Sequence, residues 1–365
     1  MTQKNNQINT TQLCVILLGI FIATRPILEN ALQAKFVSND SIITSFIAGI
    51  INLSFALLIC YIIHKNPGKS FYDIMKNFFG SVFTKIIMVI LALIICFKSL
   101  LIDYQLTFLL YDAVYSDINW FLFAIPMLLI FAYISIKGIK TIARCYEVFV
   151  PFALIILVIT LTISTFNANF ENLLPLFSHN TSQIMKSLSY ILIQSCEFIF
   201  LFTIMENVVT KNEKHYFKKI IITLIIIFIV VVLFYVLFVA VLGVLAPDVQ
   251  ETLIKITQYK DSSFGYFKID IFVSVFWIPI IVLQSAFCIY SISYCFEKVF
   301  NFRRTITSVV LIFLQFITKF IPQINNYTVS TLFFDKAGFI ILGFVFLLPV
   351  LLLIASFKKE KKKNE

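Results

Sequence analysis

Ten runs of mostly apolar residues, separated by short polar turns, dominate this chain from about residue 12 to about residue 357. Each run approaches or exceeds the ~20 residues that an α-helix needs to cross a ~30 Å hydrocarbon core at ~1.5 Å per residue. Inside hydrocarbon, backbone N–H and C=O groups find no water, so each run must satisfy its own main chain as a helix. The spans read as about 12–34, 42–63, 82–110, 119–136, 145–166, 182–208, 219–246, 269–296, 305–321 and 337–357. A hydrophobic content of 60%, a charged content of 13% and a mean hydropathy of +0.96 exclude an ordinary soluble domain. The 365 residues therefore form one integral membrane domain, with spans 1–5 over about 12–166 and spans 6–10 over about 182–357. A basic tail follows at 358–365. No cleavable leader is read ahead of the first span.

The net charge of +10 is explained by where the charges fall and needs no nucleic acid partner. With both termini cytoplasmic, nineteen of the 29 Lys and Arg residues lie on inner segments and five on outer loops. The other five, Arg25, Lys85, Lys98, Lys186 and Lys319, lie within or at the ends of spans. That asymmetry matches the positive-inside rule for ten spans, with 111–118 and 166–183 outside. The outer loop 247–268 has room for a short amphipathic helix over an outer vestibule, and FENLLPLF in loop 166–183 reads as surface-lying. Ten spans divide into two sets of five. An odd number per half starts the second half on the opposite side, the geometry of an inverted repeat.

In such folds the first span of each half, here spans 1 and 6, is broken at midplane. Span 1 carries Gly19, Thr24, Arg25 and Pro26 near its middle, and Pro26 removes a donor and disfavours helical geometry at Arg25. Arg25 is the costliest residue there, paired with Glu29 or used in function. Span 6 has no Gly or Pro between Pro175 and Gly243, so nothing in its sequence forces a break. It instead gathers Gln194, Ser195, Cys196 and Glu197 at mid-depth, and Glu197 must face the protein interior. Glu206 near the inner end reads as solvated. On span 3, Lys98 and Asp103 are within reach of one another as a pair, and Asp270 and Trp277 share a face of span 8. An Arg25–Glu197 bridge across the centre would satisfy two otherwise costly charges. The candidate ligand-binding residues are Gly19, Phe21, Thr24, Arg25, Asp103, Ser195, Cys196, Glu197 and Trp277, between spans 1, 3, 6 and 8.

Catalysis has no motif to stand on: no phosphate-binding Gly loop, no HExxH and no nucleophile elbow. Seven cysteines lack CxxC spacing and read as small buried residues, and three histidines fall in separate loops. No metal, cofactor or enzymatic activity is expected.

One stretch stands out, KGIKTIARCYEVFVP at Lys137–Pro151, where the chain leaves and re-enters the bilayer. Arg144 and Glu147, three residues apart, share a helical face and can pair, anchoring span 5 at the inner surface. Pro151 follows one turn later. Gly138, Ala143-Arg144, Glu147 and Pro151 together resemble the signature of the B subunit of bacterial spore germinant receptors. Pro67-Gly68-Lys69, Asn172-Leu173-Leu174-Pro175, Glu197, and Asp270 with Trp277 extend the resemblance over nearly the whole chain. Two positions depart from it: Phe21 replaces the second Gly of a Gly-x-Gly in span 1, and Ser195 replaces a Gly before the span 6 Glu.

The resemblance implies an all-α membrane protein of ten spans in two inverted five-helix repeats, like LeuT and the amino-acid/polyamine/organocation transporters. It also implies a place in the inner membrane of the dormant spore, beside an A subunit and a lipoprotein C subunit. There the chain would sense a small germinant such as an amino acid. Two other readings are an autonomous proton- or sodium-coupled amino-acid transporter and a ligand-blind scaffold for partner subunits.

Overall fold

The protein is seen in a computed structural model that describes residues 6–23, 25, 30–113, 121–209, 215–249, 253, 256, 269–321 and 326–361. Its described elements are almost entirely helical: α1 Thr10–Ala23, α2 Asn30–Val37, α3 Ser41–Lys65, α4 Phe71–Phe79, α5 Ser81–Ala113, α6 Phe121–Lys137 and α7 Ile139–Asn167. They continue as α8 Thr181–Gln194, α9 Leu201–Ile204, α10 Tyr216–Leu242, α11 Ile269–Phe300, α12 Arg304–Thr318, α13 Asn326–Thr331 and α14 Gly338–Lys361. Seven helical segments are long and apolar enough to cross a membrane, and shorter apolar helices stand at Thr10–Ala23, Ala124–Lys137 and Arg304–Thr318. Those three fall where spans 1, 4 and 9 are expected. The outer turn 111–118 and loop 247–268 lie largely outside the described residues, as do Thr24, Pro26, Glu29 and the side chain of Asp270.

The surface is apolar where a soluble protein would be polar. On α10, Ile221, Ile222, Ile225, Ile226 and Ile229 are 40–51% exposed, while Ile220, Leu224, Ile227 and Val231 are buried. Both faces of this helix are hydrophobic, so its outer face suits lipid and its inner face suits protein. The polar residues go inward instead: Asn52, Lys98, Asp103, Gln194, Glu197, Gln284 and Gln315 are all buried. At the centre runs α11, packed against α5, α7, α6, α12 and α1.

Local chemistry sets the ends of the helices. Asn9 and Gln12 cap α1 reciprocally: Gln12 N donates to Asn9 Oδ1 at 2.8 Å and Asn9 N to Gln12 Oε1 at 3.2 Å. Between α6 and α7 the reversal is made by Gly138 alone, at φ +91°. A side chain there would be strained by that φ and would meet Asn6 Oδ1 at 3.1 Å. The Lys137–Pro151 stretch is therefore helical from Ile139 onward, and α7 begins several residues earlier than the expected start near 145. Pro151 lies inside α7, as Pro279 does inside α11, a position that membrane helices tolerate. The amphipathic α4, absent from the span reading, is capped by Ser70, whose Oγ accepts from Asp73 N at 3.0 Å. It buries Phe71, Ile74 and Met75.

Contacts across the sequence hold the two ends of the bundle. At one end the buried Asp40 accepts from His179 N at 3.0 Å and from Phe177 N at 2.5 Å, pinning loop 174–180 to the start of α3. Phe170, Leu174 and Phe177 of that loop turn outward, 55%, 66% and 74% exposed, as expected of a surface-lying segment. At the other end Ile8 pairs with the chain after span 6, donating to Asn207 O and accepting from Val209 N, both at 2.9 Å. Glu206, expected as a solvated end, is instead bound by Lys298 at 2.7 Å and faces Arg304 at 3.8 Å.

Candidate functional site

Span 6 is broken although its sequence contains neither Gly nor Pro. Helix α8 ends at Gln194, Ser195 and Cys196 leave helical geometry, and a tight turn at Glu197–Phe200 leads into the single turn of α9. No Gly or Pro of the stretch forces this break, against the sequence reading; side chains from elsewhere stabilise it. Lys98 Nζ, from α5, donates to Gln194 O at 2.7 Å and to Glu197 Oε1 at 2.5 Å. Arg25 Nη2 lies 3.5 Å from Ser195 O and 3.8 Å from Glu197 Oε2. The last carbonyls of a helix carry its negative half-dipole, so two cations there replace the hydrogen bonds that the break removes.

Ser195 itself is fixed from two sides. It accepts from Asn52 Nδ2 of α3 at 2.6 Å, and its Oγ donates to Ile191 O at 2.5 Å. Cys196 Sγ turns back to Ile193 O at 3.0 Å. Each of these contacts satisfies a polar group in the unwound stretch, in a region where none of Gln194, Ser195, Cys196 and Glu197 is more than 5% exposed.

In span 1, α1 ends its described run at Ala23 and α2 begins at Asn30, with Arg25 the described residue between them. The Ala23 carbonyl accepts from Trp277 Nε1 of α11 at 2.8 Å, which ties span 1 to α11. Phe21 is buried beneath Arg25, whose guanidinium lies 5.4 Å from the ring centroid. The expected Arg25–Glu197 approach is present, but Lys98 is the closer partner of that carboxylate.

Two expected lining residues have other roles. At Gly19 a β-carbon would come within 2.4 Å of the Tyr146 ring, so Gly19 lets α1 and α7 approach and faces a packed side chain. Asp103 pairs with Lys319 at 3.0 Å, and not with Lys98. Five residues along a helix are ~140° apart around its axis, so Lys98 and Asp103 face different neighbours. Glu147 differs from expectation as well: it accepts from Gln12 Nε2 at 3.3 Å, while Arg144 is exposed.

The sequence reading did not include Asn52 or Gln284, and it did not connect Lys98 with Glu197. Gln284 is fully buried, and neither its amide nitrogen nor its oxygen has a hydrogen-bond partner among the described residues. It lies seven residues from Trp277 and seven from Ser291, which meets Thr203 of α9 at 3.0 Å. That spacing places Gln284 on the seam of α11 that meets span 1 and the broken span 6. The available signal was a lone mid-span polar residue, which is costly in a membrane helix unless it faces inward.

The comparisons with known proteins agree with this architecture. No curated protein matches the chain. Among solved structures, MhsT in complex with L-phenylalanine superposes with a TM-score of 0.66 at 11% identity, over 95% of this chain and 97% of that one. Mhp1, a nucleobase-cation-symport-1 family transporter in a closed conformation with bromovinylhydantoin bound, gives 0.62 at 13% identity, over 93% and 78%. At such identities the likeness establishes the fold, an all-helical membrane transporter fold of the LeuT type. A family model described as spore germination protein matches residues 7–328. The chain thus belongs to the spore germination protein family, a membrane protein of permease type and not an enzyme.

Proposed function

We propose that the chain is the ligand-sensing membrane subunit of a spore germinant receptor, acting with an A subunit and a lipoprotein C subunit. In this reading it lies in the inner membrane of the dormant spore with both termini cytoplasmic, as the distribution of Lys and Arg favours. The observation that carries the proposal is the break in span 6, with one buried carboxylate held between two cations. A zwitterionic germinant such as an amino acid offers a carboxylate to Arg25 and an ammonium to Glu197, exchanging internal pairs for external ones. Ser195 and Cys196 would supply main-chain groups, with Phe21 and Trp277 as apolar walls and Thr24 as a further lining residue. The family membership supports a role in germination, and the charged break supplies a way to couple binding to a change in helix geometry.

The fold shared with solved transporters supports a second reading, an autonomous ion-coupled amino-acid carrier. Two measurements separate the readings. Spores carrying Glu197→Gln should lose the germination response, or need about tenfold more germinant, the effect of losing one charged partner. Subunit abundance is measured beside it. An unchanged half-maximal germinant concentration would remove Glu197 from the site. Accumulation of labelled amino acid by proteoliposomes under a proton or sodium gradient would favour the carrier. A response that survives every site substitution and disappears only on deletion of the subunit would leave a scaffold.

A further inference from the structure

Helix α12 is fastened to the bundle by polar residues and turns apolar ones away from it. Its buried residues are Ser308 and Gln315, which meet Ser293 Oγ of α11 at 2.9 Å and Ser99 Oγ of α5 at 2.6 Å. Val310 stands ~200° from Ser308 around the helix axis. With Ile306 and Leu314, one turn to either side, it forms a ridge that is 50–57% exposed.

This ridge is one wall of a groove. Phe296 of α11 and Phe302 of the following turn form the other wall, and the space between them is about 410 Å³. Ligand pockets fall in the range of ~300–1,000 Å³. Phe296, Phe300 and Phe302 stack in series, with ring centroids 5.7 Å and 5.6 Å apart, which stiffens that wall. Arg303 lines the end nearest the turn and is exposed. Its neighbours turn inward, Arg304 to Glu297 and Glu206, and Lys298 to Glu206. Arg303 has no carboxylate within ion-pair reach among the described residues. It is also the cap residue of α12 and offers no side-chain acceptor there, so the positive half-dipole of the helix adds to its charge. Thr307, the other polar lining residue, turns its hydroxyl to the main-chain carbonyls of Arg303 and Arg304, at 3.3 Å and 2.9 Å.

Length and charge together identify the occupant. The distance along α12 from Arg303 to Leu314 is ~17 Å at ~1.5 Å per residue. One leaflet of a ~30 Å hydrocarbon core is ~15 Å deep. The groove therefore runs the depth of one leaflet, apolar along its length and cationic where the chain turns round. We propose that it is a binding site for an anionic phospholipid, with an acyl chain against Ile306, Val310 and Leu314 and the phosphate against Arg303. An acyl chain alone would leave Arg303 without an anion, and a soluble anion would leave the apolar walls uncovered. With both termini cytoplasmic, the lipid comes from the cytoplasmic leaflet, where anionic headgroups attract Lys and Arg. The site lies on the lipid-facing side of α12 and stands whatever the central site binds.

The test uses the purified full chain in detergent. Dioleoyl phosphatidylglycerol and dioleoyl phosphatidylcholine share acyl chains and differ in headgroup charge. Phosphatidylglycerol should raise the thermal unfolding temperature saturably, at concentrations about fivefold below those that phosphatidylcholine needs, the effect of one cation near an anionic headgroup. Arg303→Gln should erase that preference and leave the phosphatidylcholine response as it was. Val310→Trp fills the groove from an exposed position and should weaken the response to both lipids. Sodium phosphate at equal ionic strength should leave the wild type unmoved. Equal potency of the two lipids, a preference that survives Arg303→Gln, an unchanged response in Val310→Trp, or a rise with sodium phosphate would each overturn the proposal. A concentration-dependent dimer abolished by Val310→Trp would overturn it too, by making the groove an interface between copies. Should Val310→Trp fail to accumulate, Arg303→Gln decides alone, since its exposed side chain pairs with no described carboxylate.

Discussion

Two buried ion pairs share helix α5, and they differ in what surrounds them. Lys98–Glu197 closes to 2.5 Å and Asp103–Lys319 to 3.0 Å, with all four side chains at most 4% exposed. By distance and burial the pairs are alike. Asp103, however, faces an intact helix end: Lys319 follows α12 and also donates to Thr107 Oγ1 at 2.7 Å, with Tyr104 Oη donating to Thr318 O at 2.9 Å. Gln315 donates to Ser99 Oγ at 2.6 Å one layer away. This set staples α5 to α12. Lys98 instead faces a helix that stops, with main-chain carbonyls lacking helical donors and a second cation at hand. Burial of a salt bridge therefore does not by itself mark a site, since such pairs are often neutral in stability. A broken helix end beside it, with its carbonyls served by side chains of other helices, does.

The largest expected effect tests the asymmetry of the first pair. Glu197→Ala leaves Lys98 and Arg25 buried together without their shared anion, a loss of about 3–5 kcal/mol. Lys98→Met leaves Arg25 beside Glu197 and should cost roughly half as much. Membrane abundance and unfolding temperature measure both; equal losses would mean that Arg25 gives Glu197 no reserve partner.

The second pair should behave as a closed couple. Asp103→Asn strands Lys319 at a cost of about 2–3 kcal/mol, less than at Glu197 because Lys319 keeps Thr107 and lies near a helix end. Adding Lys319→Met should restore most of that stability, with the germinant dose response unchanged throughout. A shift in dose response would place Asp103 back in the ligand site and erase the contrast.

The smallest effect concerns Glu147, a part-buried acceptor for Gln12 Nε2 at 3.3 Å. Glu147→Ala should cost about 1 kcal/mol by freeing the start of α1 from α7, lowering subunit abundance and leaving the half-maximal germinant concentration unchanged. Normal abundance with an altered response would make this contact part of the sensing machinery.

Much of this was legible in the residue order because it depends on local quantities. Run length and hydropathy set the expected spans, for a segment in hydrocarbon satisfies its own backbone and needs no partner to become a helix. The inward direction of Glu197 followed from the cost of a charge in lipid.

Tertiary structure alone decided which charges meet. Lys98 and Glu197 are 99 residues apart, and Arg25 and Ser195 are 170 apart. No periodicity spans such distances, and the nearer candidates, Lys98 with Asp103 and Arg144 with Glu147, gave way to distant partners. The break in span 6 is the clearest case. Its sequence permits a continuous helix, and helix interruption is usually signalled by a residue that cannot stay helical. Here the alternative is stabilised from outside, by Lys98 on α5, Arg25 on span 1 and Asn52 on α3, which give the carbonyls and the serine hydroxyl new partners. A chain records its own helix breakers, but donors supplied by other helices exist only once those helices have packed.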